Sequence, residues 1–262
     1  MRKIILSLLI SVFIGHSSFA DKTTPEITNL KRPLPKSVLF VGNSYLYYND
    51  SLHNHFKRMV DEKYPGYEGS QNVKSSTIGG SRLKHHNLDH LLEPKAISSI
   101  KKFELVILQG GSGEGLSGKN KRAFAQIAKE HITKITAIGS QAALYMIHAY
   151  VEPHENFDPN LIRVIEEMYV AAGNANQALV IPVGLAFENA YRHRPDIKLH
   201  KLDGTHPSLL GTYLAACTVF ASIFRASPIG LSYDYNGLVS AKDRLFLQEV
   251  AESTVRNFYQ SS

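Results

Sequence analysis

Residues 38–44 read VLFVGNS: an apolar run, a glycine, an asparagine and then Ser44. A serine at the carboxyl end of a strand, where a helix begins, sits where α/β proteins present groups to ligands. Backbone N–H groups of the following turn can stabilise a developing oxyanion there. The same placement suits a helix N-cap, so Ser44 alone leaves both roles open. Far along the chain, LDGTHPS (residues 202–208) sets Asp203 and His206 three residues apart in a glycine-containing turn just before a helical pattern. A hydroxyl is a poor nucleophile at neutral pH. It needs a base within hydrogen-bond reach and a group that fixes the base's tautomer. Ser44, His206 and Asp203 supply all three. An isolated D-x-x-H reads as an ordinary turn; the strand-ending serine gives it a chemical meaning.

These side chains need elements to position them. Strand-like apolar runs recur as SVLFVG (37–42), a weaker NVKSSTIG (72–79), FELVILQ (103–109), AALYMIHAY (142–150) and ALVIPVG (178–184). Helix-period segments cover about 51–63, 87–101, 119–135, 159–175, 208–225 and 241–257, with DPN and HPS as start signals. Alternation of this kind predicts an α/β fold, a mostly parallel sheet of about five strands with helices on both faces. Ligands then bind at the carboxyl ends of the strands. There is no internal repeat and no linker, so residues 36–262 form one expected domain behind a polar, proline-containing lead at 21–35.

Residues 1–20 do not belong to that domain. Arg2 and Lys3 precede the apolar IILSLLISVFIG, and SSFA puts small residues before a cut after Ala20, the pattern of a secretory signal peptide. The apolar run is short for a bilayer span. The expectation is an exported protein, periplasmic or secreted, with no stable membrane insertion after cleavage. The single cysteine, Cys217, allows no internal disulfide and lies in the apolar YLAACTVFASIF, where burial is expected. The net charge of +6 comes from scattered basic residues, so no nucleic-acid partner is expected.

Here a family resemblance enters. FVGNSYL (40–46) resembles the first block of the SGNH (GDSL-like) hydrolases, with Asn43 where many members have aspartate, and DGTHPS is similar to their last block. The resemblance covers nearly the whole mature chain and implies a three-layer α/β/α sandwich with a flavodoxin-like sheet. TIGGSRLKHH (77–86) resembles the second block, whose glycine gives a backbone N–H to the oxyanion; Gly80 is the first match and Gly79 the second. The third block departs from the family, because the G-x-N-D asparagine is missing and the strand end reads VILQGGSGE (106–114). Gln109 is the expected third donor there, its other reading being a polar strand terminus. The resemblance implies a serine esterase with Ser44, Gly80 and Gln109 around the oxyanion and no metal or organic cofactor. It leans toward acetyl esters of carbohydrate, the substrate being a small-molecule or glycan ester. An O-acyltransferase with the same triad and a non-catalytic glycan-binding module stay open as alternatives. Asn43, Tyr45 and Gly79 are the expected substrate-side contacts.

Other motifs carry weaker signals. GEGLSGKN (113–120) nearly matches a phosphate-binding loop, but Asn120 lacks the hydroxyl that ligates magnesium, and a loop bordering the site is the better reading. HHNLDH (85–90) has two imidazoles at helical spacing, His86 and His90, yet reads as a solvated helix start. Tyr45, Tyr47 and Tyr48 can line a sugar or acyl pocket or pack in the core. FENAYRHRPD (187–196) reads as a solvated loop.

Overall fold

A computed structural model describes residues 23–260. The leader-like stretch 1–20 lies outside the described residues. Five strands form one parallel sheet: β1 Val38–Gly42, β2 Val73–Thr77, β3 Leu105–Gln109, β4 Gln141–Tyr145 and β5 Leu179–Ile181. Their order is β2-β1-β3-β4-β5, with Val38 opposite both Val73 and Leu105. That is the flavodoxin-like order, and its crevice for ligands opens beside β1. Strands β1, β3 and β4 are buried throughout. Such strands, covered on both faces, read as unbroken apolar runs. The edge strand β2 is half-exposed, which is why VKSST looked weaker.

In chain order the helices are α1 Ser44–Tyr47, α2 Leu52–Lys63, α3 Gly69–Asn72, α4 Leu88–Leu91, α5 Gly118–Ala137, α6 Leu161–Asn176, α7 Val183–His193, α8 Leu209–Phe224 and α9 Ala241–Gln260. Helices α2, α8 and α9 pack together on one side of the sheet, and α5 packs on α6 on the other. This division follows from right-handed crossovers leaving β1 in one direction and β3 and β4 in the other. Helix α8 is buried all round from Gly211 to Phe224, Cys217 included, as an evenly apolar helix must be. The lead is tied to the sheet: Arg32 N–H donates to Gln141 Oε1 at 2.8 Å, and Gln141 Nε2 returns a bond to the Arg32 carbonyl at 2.9 Å. Among the described residues no helix is long and apolar enough to cross a membrane.

Two expectations on elements are corrected. The helix expected at 87–101 stops at Leu91, because Pro94 disfavours a helical residue before it and cannot donate within a helix; Lys95 and Ser98 then take positive φ. The loop expected at 187–196 is mostly helix α7, which starts directly after Pro182 and buries Ala186, Phe187 and Ala190.

Candidate active site

Strand β1 delivers its carboxyl end into a sharp strand-to-helix turn. Asn43 is the N-cap of α1, its side-chain oxygen accepting the Tyr45 N–H at 3.1 Å. The capping role therefore belongs to Asn43, and the Ser44 hydroxyl is free for another partner. That partner is His206, whose Nε2 lies 3.0 Å from Ser44 Oγ. The Nδ1 atom of His206 lies 2.7 Å from Asp203 Oδ2, while Asp203 Oδ1 accepts the N–H groups of Thr205 and His206, each at 3.0 Å. Burial pushes the Asp203 carboxyl up, but these N–H donors and the imidazole outweigh it and hold the pKa at about 2. An ionised carboxylate accepts from Nδ1–H, so Nε2 is left with a lone pair that can accept the Ser44 hydroxyl proton.

The turn holding the base is tight. Gly204 has φ +70°, and a Cβ on it would lie 2.2 Å from the Val151 carbonyl oxygen. Only glycine fits both demands.

On the other side of Ser44 stand the loops after β2 and β3. Among the described residues, the N–H groups of Ser44, Gly79 and Gly80 have no protein acceptor, and Gly80 has φ +67°. Asn43 Nδ2 donates to the Ser81 carbonyl at 2.9 Å and, more weakly, to the Gly110 carbonyl at 3.4 Å, fastening both loops to the serine turn. Arg82 Nη1 meets Glu114 Oε2 at 2.7 Å, and Glu114 Oε1 accepts the Gly111 N–H at 3.3 Å, which joins the same two loops again.

Three expectations are corrected here. Gln109 is buried, its Oε1 accepting the Asn43 N–H at 2.9 Å and its Nε2 donating to the Gly110 carbonyl. Its carboxamide braces the turn instead of facing a ligand. Asn43 is likewise buried with its amide engaged at both ends, and Tyr45 is buried beneath the site. Neither is a substrate-side contact. Gly79 does lie at the surface with its N–H unpaired.

The tyrosines divide by role. Tyr45 stacks on His148 at 4.2 Å and its hydroxyl meets Thr205 Oγ1 at 2.7 Å. The Tyr48 ring lies 4.4 Å from the His206 ring, and exposed Tyr47 stacks on Tyr48 at 5.5 Å. Lys201 Nζ sits 4.7 Å over the Tyr48 ring. Sequence reasoning missed His148, Thr205, Arg82 and Glu114. His148 was hidden in a strand-like apolar run, and Glu114 in a motif that resembled a phosphate loop. In that stretch Ser117 caps α5 by accepting the Asn120 N–H at 3.1 Å, and Asn120 Nδ2 donates to the Gly113 carbonyl. His86 is buried against Ser81, and His90 pairs with Glu93. Among the described residues no cluster of three or more His, Cys, Asp or Glu could hold a metal.

The sequence matches no protein-family model and no curated protein, so comparison rests on tertiary structure. A DUF4886 family protein from Bacteroides uniformis aligns over 85% of this chain and 95% of its own, with a TM-score of 0.67 at 17% identity. A candidate SGNH hydrolase from Slackia heliotrinireducens aligns over 71% of this chain and 97% of its own, with a TM-score of 0.55 at 20% identity. The chain has the SGNH hydrolase fold. An acetyl xylan esterase shares it, with a TM-score of 0.57 at 17% identity over 71% of this chain and 99% of that one. Ser44 follows β1 as the first residue of α1, Gly80 lies on the loop after β2, and His206 lies on the segment between α7 and α8. The loop after β3 carries Gly110, Gly111 and Ser112 in place of the asparagine-bearing block.

Proposed function

We propose that the protein is an exported serine esterase that removes short acyl groups, acetyl foremost, from carbohydrate esters. The observation that carries the reading is the relay from Ser44 Oγ through His206 to Asp203, with contacts of 3.0 and 2.7 Å. His206 Nε2 takes the hydroxyl proton as Ser44 Oγ attacks the ester carbonyl, and Asp203 stabilises the imidazolium that forms. The tetrahedral oxyanion takes hydrogen bonds from the unpaired N–H groups of Ser44 and Gly80. His206 then gives its proton to the departing alkoxide. Water, activated by the same imidazole, breaks the acyl–Ser44 ester and regenerates the enzyme.

Support for a sugar ester is the acetyl xylan esterase among the structural neighbours and the exposed Tyr47–Tyr48 stack beside His206. An aromatic face of this kind suits stacking against a pyranose ring. Export is supported by the leader pattern of residues 1–20.

The test is release of p-nitrophenol from p-nitrophenyl acetate by the mature protein, beside Ser44→Ala and His206→Ala at equal concentration. Turnover in the wild type and a loss on the order of 10⁶-fold in either variant is expected. A wild type without turnover, or variants that keep it, would remove the reading. Acetate release from an acetylated xylan by the wild type then decides the carbohydrate assignment.

A further inference from the structure

The base of this site stands on an exposed excursion of the chain. Lys201, Leu202 and Asp203 face solvent, yet the His206 ring must stay within hydrogen-bond reach of a serine on another segment. The bonds within the loop, such as Lys201 N–H to the His206 carbonyl at 2.8 Å, fix its shape. They do not fix its distance from Ser44.

Thr205 does that. Its N–H is held by Asp203, its carbonyl accepts from His148 Nε2 at 2.8 Å, and its hydroxyl meets the Tyr45 hydroxyl at 2.7 Å. Tyr45 directly follows Ser44, and Thr205 directly precedes His206. The Tyr45–Thr205 and Ser44–His206 bonds are therefore adjacent rungs between the same two segments. The Tyr45 ring has little room to shift, because it is the first of three buried rings: Tyr45 on His148 at 4.2 Å, and His148 on Phe187 at 4.4 Å.

We propose that the Tyr45–Thr205 hydroxyl bond, clamped by His148, is the strut that sets the Ser44–His206 distance, so that Tyr45 and His148 are positioning residues. The proposal rests on the esterase reading above. The imidazole of His148 supports it. Its Nδ1 is buried with no partner, a cost that an apolar ring stacked in the same place would avoid. The Nε2–H bond to Thr205 is what an imidazole adds. Asn49 Nδ2, donating to the Pro207 carbonyl at 2.9 Å, is a second tie on the far side of His206. It keeps the loop docked when the strut is removed and makes the strut's own effect measurable.

The experiment compares wild type, Tyr45→Phe, Thr205→Val, the double variant and Thr205→Ser by kcat, KM and thermal midpoint on p-nitrophenyl acetate. Labelling of Ser44 by a fluorophosphonate counts competent sites. Tyr45→Phe and Thr205→Val should each lower kcat by about 10- to 100-fold, the cost of a small misplacement of a catalytic group, with KM changed by no more than about twofold. The double variant should be no slower than the slower single, since both remove one bond. Thr205→Ser should restore most of the rate. Full kcat in Tyr45→Phe, or a loss explained by fewer folded molecules, would overturn the strut alone. A wild type that neither turns over nor labels would overturn the esterase reading, and the strut with it.

Discussion

Gln109 Oε1 accepts the backbone N–H of Asn43 at 2.9 Å, at a point where a Cβ on the intervening Gly42 would lie only 2.3 Å from that oxygen. The glutamine thus holds the serine turn from below, and Gly42 is glycine so that it can. Gln109→Leu should reduce unfolding free energy by about 1–3 kcal/mol, because a buried N–H loses its acceptor, with a smaller change in kcat per folded molecule. Urea unfolding beside kcat separates this from an oxyanion role, in which kcat would fall by roughly 100-fold or more at unchanged stability.

Asp203→Asn should leave the fold intact and lower kcat by about 10⁴-fold, since an amide can donate to Nδ1 and so favour the wrong tautomer. The wild-type carboxyl, with its pKa depressed to about 2, stays ionised across the working range. Its contribution to stability is complete above about pH 4, the ordinary carboxylate value, and is lost as pH falls through about 2. The acid limb of a pH–rate profile should therefore lie above the titration of Asp203. A limb that moves with Asp203 titration would contradict this assignment.

Gly204→Ala places a methyl 2.2 Å from the Val151 carbonyl oxygen at φ +70°. The strain of such a backbone is on the order of 1–3 kcal/mol, and relief of the clash must move Asp203 and His206. Both the thermal midpoint and kcat should fall. An active, equally stable variant would show that the turn is looser than its geometry.

The Arg82–Glu114 pair joins the loops after β2 and β3. Burial pushes the Glu114 carboxyl up while Arg82 and the Gly111 N–H pull it down, with a net rise. Glu114→Ala strands the Gly111 N–H and half-buried Arg82, costing about 1–3 kcal/mol. It should also lower kcat more than it raises KM, because Gly80 lies on the loosened segment. Equal kcat with reduced stability would confine the pair to folding.

Acid should destabilise the protein well before its carboxylates titrate. Burial pushes His148 far below the ordinary imidazole value, His53 and His200 down to about 4, and His55, His86 and His131 down as well. Between about 4 and 6.5 the unfolded chain binds more protons than the folded one, so stability rises with pH across that window and falls on acidification. Denaturant unfolding at pH 7, 6 and 5 should give steadily lower free energies. A flat profile would mean that these imidazoles are protonated without cost.

Much of the architecture was legible because burial writes itself into composition. Strands covered on both faces are continuous apolar runs, and four such runs with the weaker, half-exposed β2, separated by helical periods, define a parallel sheet. ALVIPVG reads as one strand although the chain turns at Pro182 into α7, and the apolar spacing of 87–101 conceals the effect of Pro94. In the candidate site, Ser44, Asp203 and His206 stand out in the sequence because each lies in a local motif with a chemical requirement. Gln109 (otherwise a polar strand terminus), Asn43 and Tyr45 are expected at the ligand because nothing local reports that other segments engage their side chains within the fold.

The sequence by itself determined the strand–helix alternation, the serine turn after β1, the D-x-x-H turn before α8 and the glycines between them, since these follow from local propensity and side-chain chemistry. Tertiary structure alone decided that Gln109 braces the turn, and that Tyr45, His148 and Thr205 meet behind the base. Those assignments depend on contacts between residues up to 160 positions apart, where no local pattern reports direction or distance.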